Sequence, residues 1–230
     1  MQFDNYLTLE DILTTPIEEI RDKHEVYGLE RLAKRTIDIV FSLLVVTLIF
    51  SWLLPIIALI IKLDSKGPVF FMQPRIGLGN KVFDCWKLRT MFTDSDASSY
   101  RATEKQDSRV TKFGAFLRRT NLDELPQIIN ILLGDMSLIG PRPQPIPFYH
   151  EYKKFVEDLD LRHVVKPGLT GWAQVKGLRG DSPDEHENRR RIWKRFESDV
   201  WYIENWSLAL DIKILFMTAW IVIKGDDNAY

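Results

Sequence analysis

An uncharged apolar run, Ile39 to Ile61, restricts the possible folds of this chain more than any other feature of its sequence. As a straight helix the run would measure ~35 Å, enough to cross the hydrocarbon core of a bilayer. Pro55 lies in its second half, and an interior proline removes a backbone hydrogen bond and kinks a helix. The Ser51 hydroxyl can satisfy a carbonyl that the kink frees. We therefore expect a membrane helix at about residues 36–62, with its bend near Ser51 and Pro55.

Basic residues flank both ends of this run: Arg31, Lys34 and Arg35 precede it, and Lys62 and Lys66 follow it. Lysine and arginine favour the cytoplasmic side of a membrane. A re-entrant helix enters the bilayer, bends and leaves by the same face, so it places both basic clusters on that side. An ordinary spanning helix is the alternative, and the residues alone do not choose between the two.

The charges divide the chain into an acidic beginning and a mildly basic body. Residues 1–30 hold eight acidic and two basic side chains, whereas residues 31–230 hold 24 acidic and 29 basic ones. We expect residues 1–30 to form a separate acidic segment. We expect residues 31–230 to form one domain, which is long enough to bury a hydrophobic core.

The remaining patterns predict a mostly helical α+β fold. PVFFMQ and KVFDCWKLRTM, separated by PRIGLGN, predict a small β-hairpin just outside the membrane. Residues 94–109 are polar and lack a clear period, so we expect an exposed loop there. Short helical patterns follow, one of which should stop at Gly134. The last apolar stretch, Ile214 to Ile223, is too short to span and predicts an amphipathic helix at the membrane surface.

Two features that suggest other functions have simpler explanations. The basic run Arg189 to Arg191 alternates with acidic residues and has no aromatic stacking platform, so we expect no nucleic-acid partner. Cys85 is the single cysteine, so it cannot form an internal disulfide, and this fits a reducing, cytosol-facing body.

The adjacent carboxylates Asp123 and Glu124, in TNLDELPQ, are the strongest candidates for chemistry. A structural explanation is available, because Asn121 followed three residues later by Glu124 matches a capping box at a helix start. The same helix terminus would favour a carboxylate anion and a bound phosphate, so that Asp123 stays ionised at neutral pH. The pattern alone fits both a helix cap and an active site.

The two carboxylates cannot act alike on one substrate atom, because adjacent helical side chains diverge by ~100°. One nucleophile and one metal ligand is the natural division. Mg²⁺, held by carboxylates and phosphate oxygens, would neutralise a diphosphate before an anion approaches it. Arg118, one turn upstream, and Arg142, held between two prolines, are suited to phosphate. For Arg142, an exposed arginine in a turn is the alternative.

Six segments occur in a recognisable order: KRTIDIVFS, KLDSKGPVFFMQ, KLRTM, FLRRTNLDELPQIINILLGDMSLIGPRP, KPGLTGWAQVKG and DVWYIENWSLALDIKIL. Together they resemble the bacterial sugar transferases, the monotopic polyprenyl-phosphate phosphoglycosyl transferases that begin glycoconjugate and exopolysaccharide assembly. The resemblance runs from about Arg31 to Lys224. One departure concerns the bend, where the family usually shows Ser-Pro, whereas here Trp52 follows Ser51 and the proline comes at Pro55.

That resemblance implies a two-step reaction through a covalent phosphosugar intermediate. Asp123 would attack the sugar-bearing phosphorus of a UDP-sugar and release UMP, after which a polyprenyl phosphate such as undecaprenyl phosphate would take the phosphosugar. Glu124, together with Asp123, is expected to bind Mg²⁺ as the cofactor. The residues expected to bind substrate phosphates or the donor are Arg118, Arg142, Lys87 and Arg179.

The resemblance also implies a location in the bacterial cytoplasmic membrane, with a re-entrant helix in the bilayer and the catalytic body at the cytosolic face. Larger relatives carry spanning helices ahead of this domain, whereas the acidic segment 1–30 predicts a stand-alone catalytic unit. A non-catalytic membrane-bound scaffold of the same fold is the alternative function. The sequence leaves open the sugar, the pathway (exopolysaccharide, O-antigen lipopolysaccharide or glycoprotein glycan) and the oligomeric state.

Overall fold

The structure, a computed structural model, describes residues 28–93, 107–180, 182 and 184–224. The predicted acidic segment 1–30 therefore lies outside the described residues except for its last three. The predicted loop 94–109 lies outside them except for residues 107–109.

The described residues form a mostly helical fold with two small sheets, so the predicted α+β class is confirmed. In chain order the helices are α1 (Gly28–Val45), α2 (Ser51–Asp64), α3 (Lys112–Arg119), α4 (Gln127–Leu133), α5 (Ile146–Tyr152), α6 (Trp172–Val175), α7 (Glu185–Glu204) and α8 (Leu208–Lys224). The strands are β1 (Phe70–Ile76), β2 (Val82–Leu88), β3 (Ser137–Ile139) and β4 (Gly168–Thr170). A π-helical segment, Val46–Phe50, joins α1 to α2, and short 3₁₀ turns cover Leu78–Asn80, Leu122–Glu124 and Leu159–Val164.

Helix α1, the π-helical segment and α2 form one long helix, Gly28–Asp64, of 37 residues. By length and composition it could cross a membrane, and 22% of its most apolar 18-residue stretch is buried in the protein. The irregular segment ends just before Ser51, and Pro55 follows inside α2. The Ser51 hydroxyl donates a hydrogen bond at 2.7 Å to the Thr47 carbonyl in the π-helical segment, whereas the carbonyl that Pro55 leaves without its helical donor is that of Ser51 itself.

Both ends of the long helix pack against the rest of the protein. In α1, the Asp38 carboxylate is buried and accepts hydrogen bonds from the Leu138 backbone N–H at 2.9 Å and the Ser137 hydroxyl at 3.1 Å. In α2, the buried side chains of Ile57 and Ile61 belong to the hydrophobic cluster that includes Leu117. The helix is therefore fixed to the body at two places about 20 residues apart.

Strands β1 and β2 form the predicted hairpin, which is confirmed. They pair antiparallel from Phe70 opposite Leu88 to Ile76 opposite Val82. The predicted turn PRIGLGN was too long, because its first three residues continue β1 and extend the ladder by three more pairs. A second sheet, in which β3 and β4 pair in parallel, has no counterpart in the sequence-based expectations.

The largest hydrophobic core lies around α4. Ile128 and Ile131 of α4 and Met136 beyond it are each at most 1% exposed, and Gly134 ends the helix with φ 95°. The predicted helix stop at Gly134 is therefore confirmed. Because the turn that carries Asp123 immediately precedes α4, this core fixes its position.

The last helix, α8, is longer than the apolar stretch that predicted it, since it begins at Leu208. Several large apolar side chains of α8 point away from the body: Phe216 is 73% exposed, Trp220 67% and Ile223 80%. These residues recur at spacings of four and three, which places them on one face of a helix. An apolar face of this kind is typical of a helix that contacts lipid.

Candidate active site

The turn that carries Asp123 and Glu124 has a different local structure from the one predicted. Asn121 adopts a left-handed backbone conformation with φ 56°, which asparagine tolerates better than most residues, and its side chain makes no capping hydrogen bond. Asp123 and Glu124 lie in the 3₁₀ turn that follows, and α4 begins only at Gln127. The proposed capping box is therefore absent, and the helix terminus is not what would keep Asp123 ionised.

Glu124 is the centre of a charge cluster drawn from three separate elements. The Lys87 ammonium, on β2, donates to Glu124 Oε1 at 2.9 Å. The Arg142 guanidinium, between β3 and α5, donates from Nη1 to Oε2 at 2.9 Å and from Nη2 to Oε1. Paired bonds of this kind from one arginine to one carboxylate are stronger and more directional than single ones.

These contacts control the charge of Glu124. Burial alone would oppose its ionisation, but the nearby Arg142 and Lys87 cations hold the pKa of the Glu124 carboxyl well below its usual range. Glu124 is thus an anion at every pH at which the protein is expected to work.

Asp123 experiences the opposite balance. Burial and the neighbouring charge of Glu124 raise the pKa of Asp123 to about 6, although Lys87, Arg118 and Arg142 act to lower it. Asp123 is still mostly ionised at neutral pH, as predicted, but the cause is the surrounding cations. Among the described residues, no side chain or backbone group donates a hydrogen bond to its carboxylate.

The other two predicted binding residues flank the same turn. Arg118, at the end of α3, donates from Nε to the Thr90 hydroxyl at 2.8 Å and is close enough to Asp123 to affect its charge. Arg179 donates to the Asn121 side-chain oxygen at 3.3 Å. The structure therefore brings Lys87, Arg118 and Arg142 close to Asp123 and Glu124, whereas Arg179 contacts Asn121 at the start of the same turn.

Two supporting residues were missed by the sequence-based reasoning. Arg75, on β1, is 4% exposed and donates to the Pro143 carbonyl at 2.7 Å, which holds the loop that carries Arg142. Asn130, on α4, bonds both the Trp86 N–H at 2.9 Å and the Asp84 carbonyl at 2.8 Å, and so fixes α4 to β2. Nothing in the local sequence distinguishes either residue, because both act through distant partners.

The carboxylates of this site fit Mg²⁺ in their donor chemistry. A carboxylate offers about four lone pairs, and the three hydrogen bonds to Glu124 leave one on Oε2, while both oxygens of Asp123 accept no bond among the described residues. Mg²⁺ commonly binds one or two carboxylates and takes its other ligands from substrate phosphates and water. In the described part of the chain, no three His, Cys, Asp or Glu side chains cluster as a metal-binding group. Asp123 and Glu124 would therefore need substrate phosphates and water as the other ligands of the ion.

Comparison with known proteins agrees with this geometry. Residues 29–225 match the family model described as bacterial sugar transferase. The chain is 45% identical over 221 residues to a UDP-glucose:undecaprenyl-phosphate glucose-1-phosphate transferase of Escherichia coli (strain K12), an alignment that covers 96% of the chain and 46% of the relative.

Two further relatives have names that do not mention UDP-glucose. The chain is 41% identical over 192 residues to a UDP-N-acetylgalactosamine-undecaprenyl-phosphate N-acetylgalactosaminephosphotransferase of Aeromonas hydrophila, covering 84% of the chain and 44% of the relative. It is 44% identical over 189 residues to the exopolysaccharide production protein PSS of Rhizobium leguminosarum bv. phaseoli, covering 80% of the chain and 92% of the relative. The chain thus spans less than half the length of two of these three relatives and nearly all of the third.

Proposed function

The chain belongs to the bacterial sugar transferase family, and from this premise we propose that it transfers a sugar-1-phosphate from a UDP-sugar to undecaprenyl phosphate, with release of UMP. The observation that carries the proposal is the state of Asp123, an ionised carboxylate that no described residue holds by a hydrogen bond, beside three cations. A nucleophile for a diphosphate needs this combination, because the cations offset the repulsion between two anions.

In the first step, a carboxylate oxygen of Asp123 attacks the sugar-bearing phosphorus of the UDP-sugar. A new bond forms between that oxygen and phosphorus, and the bond from phosphorus to the bridging oxygen breaks. UMP leaves with the electron pair of the broken bond. Arg118 and Arg142 would bind the phosphate oxygens of the donor. Their positive charges would stabilise the negative charge that develops on UMP as it leaves.

In the second step, an oxygen of the lipid phosphate attacks the same phosphorus. The bond from phosphorus to Asp123 breaks, which restores the carboxylate, and the product is a lipid diphosphate sugar. No proton transfer is required in either step if both nucleophiles are already anions. Asp123 meets this condition above its pKa of about 6.

Mg²⁺ would be held by Asp123 and the remaining lone pair of Glu124, with substrate phosphates as its other ligands. When bound, it would supply charge neutralisation at the diphosphate. Lys87 and Arg142 hold the Glu124 carboxylate in one orientation, so it can present that lone pair without rearrangement.

The long helix is proposed to be re-entrant, with the body on the cytosolic face of the bacterial cytoplasmic membrane. Its beginning contacts the body through Asp38, and at its end Arg89 donates to the Ile61 carbonyl at 3.2 Å and the Ser65 carbonyl at 2.7 Å. Contacts between the body and both ends of the helix support an arrangement in which both ends lie on the same side of the ~30 Å hydrocarbon layer. The bend that this requires would lie near the π-helical segment and Pro55.

The test is an exchange reaction without lipid. Purified protein in detergent with Mg²⁺, UDP-glucose and labelled UMP should incorporate label into UDP-glucose, because a covalent intermediate forms before the acceptor binds. UDP-glucose is used first because several relatives of 43–45% identity carry it in their names. Undecaprenyl phosphate added without labelled UMP should then produce net UMP release.

Asp123→Asn should abolish both exchange and net release, whereas Asp84→Asn, which removes an exposed carboxylate of β2, should retain both. Turnover that persists in Asp123→Asn would rule out Asp123 as the nucleophile. No activity with UDP-glucose or UDP-N-acetylgalactosamine, despite folded protein, would favour the non-catalytic scaffold.

A further inference from the structure

A cavity of about 250 Å³ opens beside the turn that carries Asp123. Its polar lining includes Arg119, Asn121 and Arg179, and Asn121 lies two residues before the nucleophile. Its apolar lining comes from Val175, at the end of α6, and from the last turns of α8. The cavity therefore extends from Asn121, at the start of the turn that carries Asp123, to the helix with the exposed apolar face.

The charge of the cavity selects for an anion. Two arginines line it, and none of its described lining residues is acidic. Arg179 also holds the Asn121 side chain at 3.3 Å, so its guanidinium is directed toward the turn that carries Asp123. A phosphate group at this end would lie next to the proposed reaction centre.

The cavity also has an aliphatic part, which the last turns of α8 form. Ile221 and Val222 line it, and Val222 is also 65% exposed at the protein surface. Thr170 and Thr218 are hydrogen-bonded at 2.9 Å and hold α8 against β4 at this point. A ligand that reached the cavity from the bilayer would pass these aliphatic side chains before it reached the arginines.

One polar group in the wall lacks a partner. Gln174 is 6% exposed, and its amide Nε2 donates to the Leu169 carbonyl at 3.3 Å, which fixes the orientation of the amide. Its Oε1 is buried and accepts no hydrogen bond among the described residues. Because this oxygen is inaccessible from the cavity, Gln174 forms part of the cavity wall without offering a contact to a ligand.

We propose that this cavity binds the lipid acceptor, with the phosphate of undecaprenyl phosphate at Arg119 and Arg179 and the first isoprene units against Val175, Ile221 and Val222. This inference rests on the proposed function. A phosphate monoester supplies the negative charge that Arg119 and Arg179 attract, and its isoprenoid chain supplies apolar contacts for the aliphatic lining. The sugar of the donor carries hydroxyls, whereas an aliphatic wall on a lipid-facing helix favours a ligand with an apolar chain. Arg179 then contacts the acceptor, whereas the sequence had suggested the donor.

The test measures acceptor binding directly, in nanodiscs that contain labelled undecaprenyl phosphate and no donor. Ile221→Ser should weaken binding about tenfold, since loss of its aliphatic contact is worth on the order of 1–2 kcal/mol. Arg119→Gln should weaken it by a similar or larger factor. The control Ile223→Ser removes an exposed apolar side chain of the same helix outside the cavity lining and should bind as wild type.

The lipid-free UMP exchange reaction separates the possible outcomes. Exchange in Ile221→Ser should stay within twofold of wild type, which also shows that the variant is folded. Weaker UDP-glucose binding with unchanged lipid binding would overturn the inference and assign the cavity to the donor. Unchanged lipid binding in both variants would also overturn it. Because lipid binding is measured without turnover, failure of the proposed reaction in wild type would be distinguishable from failure of this inference.

Discussion

At the scale of single residues, the neighbouring carboxylates of Asp123 and Glu124 have opposite electrostatic environments. Both oxygens of Glu124 accept hydrogen bonds from Lys87 and Arg142, and its pKa stays low despite burial. Asp123 is one residue away, but burial and the charge of Glu124 raise its pKa to about 6. A carboxylate with a raised pKa is a better base and nucleophile than one held by strong donors. The pair therefore divides into a carboxylate with a raised pKa and one that two cations hold in place.

The raised pKa of Asp123 predicts how the reaction depends on pH. Only the ionised carboxylate attacks phosphorus, so activity is present above the pKa and is lost as the pH falls through it. We expect kcat/KM for UDP-glucose in the exchange reaction to be level above about pH 7 and to fall about tenfold by pH 5. Initial rates between pH 4.5 and 8.5 would measure this.

The variant Arg118→Gln is the matched comparison for the pH profile. Arg118 lowers the pKa of Asp123, so its removal should move the acidic limb to higher pH. A profile that stays level down to pH 5 in both proteins would contradict the assignment of Asp123.

At the scale of elements, the position of the long helix depends on a few polar contacts. Asp38 lies in the apolar half of α1 and is 4% exposed, yet both of its described hydrogen bonds go to the edge of β3. Lys34, one turn earlier, forms an ion pair with Asp211 of α8. These contacts join α1 to the strand and the helix that lie next to the candidate active site.

Loss of the Asp38 carboxylate should therefore destabilise the whole protein. Asp38→Ala leaves the Leu138 N–H and the Ser137 hydroxyl buried without an acceptor, at a cost of about 2–4 kcal/mol. The midpoint of thermal unfolding in detergent should fall by several degrees. The midpoint of Asp38→Asn, which keeps an acceptor oxygen, should fall less than that of Asp38→Ala. A midpoint for Asp38→Ala equal to that of wild type would contradict the proposed attachment of α1 to β3.

At the scale of the whole molecule, two exposed apolar surfaces stand out among the residues that the structure describes. One lies on the long helix, where Leu48 is 65% exposed and Leu59 is 62% exposed, and the other lies on α8, around Phe216 and Trp220. Exposed apolar side chains grouped on one helix face are typical of protein that contacts a bilayer. Residues of α8 also line the cavity beside the turn that carries Asp123, so one of these surfaces lies near the candidate active site.

The re-entrant arrangement predicts that both ends of the long helix lie on one side of the membrane. Single cysteines at Gly28 and Lys66, in a Cys85→Ala background, should react with a membrane-impermeant maleimide in inverted vesicles and not in intact spheroplasts. Leu48→Cys, at the centre of the apolar run, should react in neither. Labelling of Gly28→Cys and Lys66→Cys from opposite sides would establish an ordinary spanning helix.

The features predicted from sequence depend on short-range patterns. An uncharged run fixes a long apolar helix, glycine fixes the stop at Gly134, and alternating strands around a glycine turn fix the hairpin. Asp123 and Glu124 are adjacent in the chain, so the sequence could single them out as a candidate pair without knowledge of the fold. The predicted local structure around these two residues was wrong, because a turn with Asn121 in a left-handed conformation replaces the expected helix cap.

The tertiary structure alone decided what surrounds these residues. Lys87 and Arg142 lie 37 and 18 positions from Glu124, and they reach it only because Asn130 fixes α4 to β2 and Arg75 holds the loop after β3. The parallel pairing of β3 with β4 and the cavity lined by α8 have the same origin. Sequence periodicity reports which side chains a helix or strand buries, whereas the distances between elements depend on packing across the whole chain. The charge of Asp123 depends on those distances, so the sequence could suggest Asp123 as a candidate nucleophile but could not give its pKa.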